Sequence, residues 1–195
     1  MPVRTVLTGP WTLFHTAVTG ATAAGIAASL VIAPNGQGIA GAGLAMIMAA
    51  IAAIDARYFI IPDGLNIAAL ALALVDAGFQ NTGIATEAIA LAILRGVVLS
   101  LIFLGLQIAY RMLRKREGLG LGDVKLAGVA GAWLGWQTMP MAVEIAALAA
   151  LAAYTIRRYV SGRAFRTTHR LPFGLFFAPA IWLGWLLETM GVVPS

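Results

Sequence analysis

The chain reads as long apolar runs separated by short breaks of polar residues, glycine and proline. A membrane-crossing helix needs about 20 mostly apolar residues, fewer where it is buried or tilted. Seven runs meet that requirement, at residues 11–32, 38–56, 65–79, 84–113, 123–136, 141–157 and 173–190. Ala33-Pro34-Asn35-Gly36 ends the first. The boundary between the fifth and sixth is the least marked. One helix from Asp123 to Arg157 would measure roughly 52 Å at 1.5 Å per residue, against a hydrocarbon core of about 30 Å. Pro140 also interrupts its hydrogen-bond ladder. Two short spans joined by a tight turn at Gln137-Thr138-Met139-Pro140 are expected instead. The pattern predicts an all-α, polytopic transmembrane helical bundle forming one membrane-embedded domain over residues 1–195.

Composition agrees. Of 195 residues, 61% are hydrophobic and only 11% charged, far more apolar surface than a water-soluble domain of this size buries. The net charge of +5 raises the question of nucleic acid, and the distribution of charge answers it. With seven spans and a cytoplasmic N-terminus, every Lys and Arg except Arg95 falls on the cytoplasmic side, and the outer breaks near Gly36, Gln80 and Thr138 carry none. That is the positive-inside rule. It implies a multi-pass protein of the inner (cytoplasmic) membrane whose partner is the lipid bilayer, with no nucleic acid. The basic stretches 111–116 and 157–170 are expected on anionic lipid, and Trp133 and Trp136 as interfacial anchors. Arg95 falls roughly mid-membrane, so it must face inward and find a partner; Glu144 is the candidate. A signal peptide is the alternative reading of the N-terminus, from Arg4 and the small residues at 24–29, but the apolar run to Ile32 is long for one. Cysteine is absent, which excludes disulfides, Cys-ligated zinc and a thiol nucleophile. His15 and His169 sit in no metal-ligand spacing, so no metal is expected.

Two aspartates then stand out. Asp55 lies in the last turn of the second run, and Asp123 opens the fifth, which places both at the cytoplasmic boundary. Ionisable groups there are costly and mark candidate functional sites. With the second and fifth helices packed side by side, the carboxylates would form a pair that shares a proton. One would act as general base on water and the other as general acid to a carbonyl oxygen. The macrodipoles of their own helices bias the shared proton toward Asp55, because Asp123 begins a helix and Asp55 ends one. Singly, each has a plainer reading: Asp123 as a helix N-cap, Asp55 as a salt-bridge partner of Arg57 or Arg111.

The surrounding residues resemble a known family. Asp55 with Ile61-Pro62-Asp63 looks like the first motif of type IV prepilin peptidases. Gly120-Leu121-Gly122-Asp123-Val124-Lys125-Leu126 looks like their GxGD motif. Leu171-Pro172-Phe173-Gly174, running on to Pro179, resembles their third motif, which opens the last helix. The resemblance implies a GxGD aspartic protease with a six-helix core, here residues 37–195, preceded by one additional helix within 1–36. It implies a pilin-like precursor as substrate, cut at its short basic leader on the cytoplasmic face. Asp55 and Asp123 would be catalytic, supported by Gly120, Gly122, Asp63, Lys125, Pro172 and Gly174, with no cofactor. Bifunctional members carry a paired-cysteine insert and an N-methyltransferase activity. This chain has no cysteine, so a peptidase alone is expected, nearest the small Flp-type and preflagellin-type forms.

Side by side with that resemblance, the residues support local expectations. Gly118, Gly120 and Gly122 permit unusual backbone angles and close approach of a substrate backbone. Asp63 is expected to cap the third helix or to contact the leader, and Lys125 to pair with Asp63 or lipid phosphate. The competing class is a small cation- or proton-coupled transporter using the same two aspartates. Inverted repeats and helices interrupted at mid-membrane would mark it, and the sequence shows no repeat. A non-catalytic assembly subunit would not need the aspartate pair.

Overall fold

The computed structural model describes residues 10–80, 85–115, 118–161 and 172–193, and among them there are seven helices and no strand. They are α1 (Pro10–Ile32), α2 (Gly36–Tyr58), α3 (Asp63–Gln80), α4 (Ala85–Arg114), α5 (Leu121–Trp133), α6 (Thr138–Ser161) and α7 (Gly174–Thr189). The protein is a helical membrane bundle. Its α1, α2, α4 and α6 are long and apolar enough to cross a membrane, and α7 is a shorter apolar helix. The surface is inside-out relative to a soluble protein: α4 buries Ala92, Gly96, Leu99 and Phe103 while exposing Leu94, Val97, Leu101 and Ile102. A continuous exposed apolar face of that kind belongs in lipid.

Local chemistry sets the helix ends. After Ala33-Pro34, the Asn35 side chain accepts the Gln37 N–H at 3.0 Å and starts α2. At the other end of α2, Phe59 turns left-handed (φ 55°) and donates its N–H to the Asp55 carbonyl at 3.0 Å. Pro62 then leads into α3, whose first residue is Asp63. The expected break between the fifth and sixth helices exists but lies earlier, at Leu134–Gln137. Pro140 falls inside the first turn of α6, where a missing N–H costs nothing. The interruption comes instead at Gly135, whose N–H donates to Glu188 Oε1 of α7 at 2.7 Å.

α5, with 13 residues, is about 20 Å long and buried along most of its length. It packs on α4, α3 and α7, while α2 packs on α1, α7 and α3, and α6 on α7. The second and fifth helices are therefore bridged by α3 and α7 rather than packed side by side, contrary to expectation. The α4–α5 contact is close: a Cβ on Gly131 would lie 2.8 Å from Gly96 Cα. Small residues at such a contact let two helices approach where no hydrophobic effect drives them together. Leu44, Met48 and Ile51 of α2, Leu126 of α5, and Phe177 and Ile181 of α7 fill the centre, each at most 1% exposed.

Two expected partnerships differ. Trp133 is 7% exposed and donates Nε1–H to the Ala69 carbonyl at 2.9 Å, tying α5 to α3 rather than anchoring at the interface. Trp136 is exposed, as an anchor would be. Arg95 lies in the field of Glu188, not of Glu144. The reason is topological: α6 packs on α7 and not on α4, so Glu144 stays exposed. Arg95 and Glu188 share a cleft of about 490 Å³ with Gln37 and Gly135, at the end of the bundle opposite Asp55.

Candidate active site

The C-terminal ends of α2 and α4 and the N-terminal ends of α3, α5 and α7 converge at one end of the bundle. A cleft of about 270 Å³ opens there, lined by Asp55, Asp63 and Asp123 together with Phe59, Ile61, the 118–122 loop, Pro172 and Phe173. Parts of all three motifs thus meet, although they are far apart in sequence. Three helix N-termini face this space, and their dipoles favour negative charge. That is how three carboxylates can share one small volume.

Each aspartate is held by a backbone amide. Asp123 sits in the first turn of α5, which begins at Leu121, two residues before the expected start. Its Oδ2 reaches back to accept the Gly120 N–H at 3.0 Å. The N-cap is Gly120, not Asp123 as the sequence suggests; Asp123 is the third residue of the helix, its side chain closes back on the N-cap N–H, and the same side chain lines the cleft. Asp55 is 5% exposed, and its Oδ2 accepts the Leu175 N–H at 2.9 Å from the first turn of α7. This removes the ground for assigning the shared proton to Asp55. That argument weighed only the C-terminus of its own helix, whereas a second helix presents its N-terminus to the same carboxylate. The field of Asp55 reaches Asp123, so the two charges are coupled. Among the described residues, the salt bridge at this end joins Asp63 to Lys125.

The expected supporting residues are placed as follows. Among the described residues, the glycine with left-handed backbone is Gly191, so Gly118, Gly120 and Gly122 do not supply unusual angles. Their use is space. A Cβ on Gly122 would lie 3.0 Å from Ile61 Cβ, and one on Gly120 3.3 Å from Asp123 Oδ2. Gly174 is the tightest of the motif positions against a carboxylate: its Cβ would lie 2.9 Å from both Asp55 Oδ2 and Ile61 Cδ1. Asp63 is the first residue of α3 rather than its N-cap, and its Oδ1 accepts from Lys125 Nζ at 2.7 Å. The expected Asp63–Lys125 pair is present. Leu171 lies outside the described residues.

Sequence reasoning assigned no role to Ile61, Phe59 or Phe173. Ile61 is 8% exposed and wedges between Gly122 and Gly174, setting the gap between the second and third motifs. In the sequence Ile61 is the last of three successive apolar residues, Phe59-Ile60-Ile61, and nothing there marks it as the buried one. Phe59 holds a left-handed conformation that glycine usually takes at a helix end, and its ring borders the cleft. Phe173 packs on Phe103 and Phe177, with ring centroids 6.4 and 5.3 Å away, and fixes the start of α7.

Comparison with known proteins matches residues 42–155, more than half of the chain, to the type IV leader peptidase family. The prepilin leader peptidase/N-methyltransferase of Burkholderia pseudomallei (strain 1026b) is 45% identical over 69 residues, covering 35% of this chain and 22% of that protein. Leader peptidase HopD of Salmonella typhimurium is 39% identical over 77 residues, covering 39% of this chain and 49% of that protein. HopD of Escherichia coli is 42% identical over 77 residues, with the same two shares. The chain thus spans about half or less of the length of these relatives, and no solved structure matches it. With its aspartates and motifs gathered at one cleft, the chain belongs to the type IV leader peptidase family.

Proposed function

We propose that this protein is an aspartic endopeptidase that removes the leader peptide from pilin-like precursors at the cytoplasmic face of the inner membrane, with Asp55 and Asp123 as its catalytic pair. The observation that carries this reading is the single cleft lined by both carboxylates and by parts of all three motifs. Water attacks the scissile carbonyl carbon while one ionised carboxylate takes its proton. The other carboxyl gives a proton to the carbonyl oxygen. Collapse of the tetrahedral intermediate breaks the C–N bond, and the leaving amine takes a proton from the pair. The 118–122 loop, whose glycines bring little side-chain bulk, forms the wall along which an extended substrate backbone lies.

The domain reading follows the packing. Residues 37–195 form the catalytic core, and α1 is peripheral, lying before the matched residues and packing chiefly on α2. The cytoplasmic orientation rests on charge: Arg57, Arg111, Arg114, Lys115 and Lys125 all lie at the cleft end. The absence of cysteine supports peptidase activity without methyl transfer, because the paired-cysteine insert has no counterpart.

The test is cleavage of a co-expressed pilin precursor by the wild type, Asp55→Asn and Asp123→Asn. Each substitution removes one ionisable carboxyl and nearly keeps its shape. Loss of the size shift in both variants, with normal accumulation in the membrane, is the expected result. Cleavage by both would overturn the dyad and bring forward a cation- or proton-coupled transporter.

A further inference from the structure

Asp63 is the third carboxylate in the cleft, and hydrolysis as described above gives it no part. It is also the one already holding a cation. Lys125 Nζ lies 2.7 Å from its Oδ1, and the two side chains are 52% and 65% exposed. The bond joins the first residue of α3 to the start of the second turn of α5, beside the mouth of the cleft. Asp63 lines that cleft; Lys125 does not. An ion pair this wet contributes little to stability, because both charges are solvated without it. Its energy is small enough for a second cation entering the cleft to compete for Asp63.

The charge of the cleft says which group would compete. Among the described residues, three carboxylates line it and no basic side chain does. Buried Asp55 and half-buried Asp123 each accept a backbone N–H, which leaves the exposed Asp63 as the carboxylate most open to an incoming cation. We propose that Asp63 is a specificity-determining residue that receives a lysine or arginine of the substrate peptide, and that Lys125 is its resident competitor, displaced when substrate binds. This rests on the reading of the cleft as a peptide-binding active site. Lys125 then acts as a filter. A peptide without a basic side chain at the right place leaves the Asp63–Lys125 pair intact and gains nothing from it.

The inference separates two residues that a structural salt bridge would tie together. If the bond only braces α3 against α5, removing either end has the same effect. If substrate exchanges with Lys125, the two ends act in opposite directions. The experiment measures binding of two fluorescent peptides to the full chain in bilayer nanodiscs. One carries lysines ahead of the cleavage site, and the other has glutamine in their place. An Asp55→Asn background prevents cutting. Lys125→Gln is expected to tighten the lysine peptide about two- to fivefold, the range set by losing one exposed competing pair, and to leave the glutamine peptide unchanged. Asp63→Asn is expected to weaken the lysine peptide at least about twofold and to abolish the preference between the peptides. Lys125→Arg, which keeps the competitor, should bind as the parent does.

Weakening by both Lys125→Gln and Asp63→Asn overturns the proposal, as does an equal change for both peptides. If Lys125→Gln accumulates poorly, Lys125→Met keeps the aliphatic stem and reads the same exchange. The outcome is independent of the cleavage test. Loss of cleavage in the Asp55 and Asp123 variants with no opposed shift here keeps the peptidase and removes the exchange. Opposed shifts without cleavage by the wild type keep the cation site and remove the peptidase.

Discussion

Gly174 has no room for a methyl group, and what stands in the way is the carboxylate of Asp55. A Cβ there would lie 2.9 Å from Asp55 Oδ2 and from Ile61 Cδ1. Both neighbours are buried, so the clash cannot be relieved into solvent. Gly174→Ala must move Asp55 off the Leu175 N–H or push the start of α7 away. Displacing a catalytic group by about 1 Å can cost on the order of 100-fold in rate. The prediction is a fall in cleavage of about ten- to 100-fold, against a modest loss of thermal stability in detergent. Equal fractional losses of activity and folded protein would show that Gly174 serves packing alone. Trp133 offers a contrast at the same scale. Trp133→Phe removes the bond to the Ala69 carbonyl and should lower stability by about 1 kcal/mol, read as a shifted melting transition, with the cleft left intact.

Among elements, the decisive contact is α4 against α5. Gly131→Ala would drive a Cβ into the Arg95 carbonyl and to 2.8 Å from Gly96 Cα, all of it helix backbone. Backbone cannot rotate away, so the helices must part. Overpacking of this kind costs about 1–3 kcal/mol. Because α5 carries Asp123 at its start, cleavage should fall along with the melting temperature. An unchanged melting transition would mean that the two helices are looser than the structure has them. The helices themselves were legible in the sequence, since each is a continuous apolar run closed by glycine, proline or asparagine, as at Asn35 and Pro62. Their neighbours were not. In a bundle bathed in lipid, the outward face is as apolar as the inward one, so periodicity does not reveal which face meets which helix. That is why Glu144 was matched to Arg95 when Glu188 is its neighbour, and why Trp133 was placed at the interface. The candidate site was more legible, because charge is scarce here and every aspartate at a helix end stands out. The contribution of α7 to Asp55 was hidden, because a backbone N–H leaves no mark in the sequence.

At the scale of the whole molecule, α7 joins the two ends. Its first turn binds Asp55, and its last turn carries Glu188, which accepts the Gly135 N–H and faces Arg95. The two clefts lie at opposite ends of the bundle and differ in charge partners: three carboxylates at one, an arginine among acids at the other. The proposed orientation rests on where the basic residues collect. Among the described residues, Arg57, Arg111, Arg114, Lys115 and Lys125 lie at the aspartate end, while toward the opposite end, marked by Gln37, Trp136 and Gln137, the basic residue is Arg95. The proposed cytoplasmic aspartate end is the orientation that agrees with the positive-inside rule, and it can be tested directly. The chain has no cysteine, so one introduced thiol reports its location without background. Gln137→Cys, exposed between α5 and α6, should react with a membrane-impermeant maleimide added to intact spheroplasts. Leu113→Cys, 83% exposed near the end of α4, should react only after the membrane is opened. Labelling of Leu113→Cys alone in intact spheroplasts would invert the protein and put the aspartates outside. Labelling of both positions from one side would mean that the stretch from α4 to the α5–α6 turn does not cross the membrane, and the seven-span topology would fall with it.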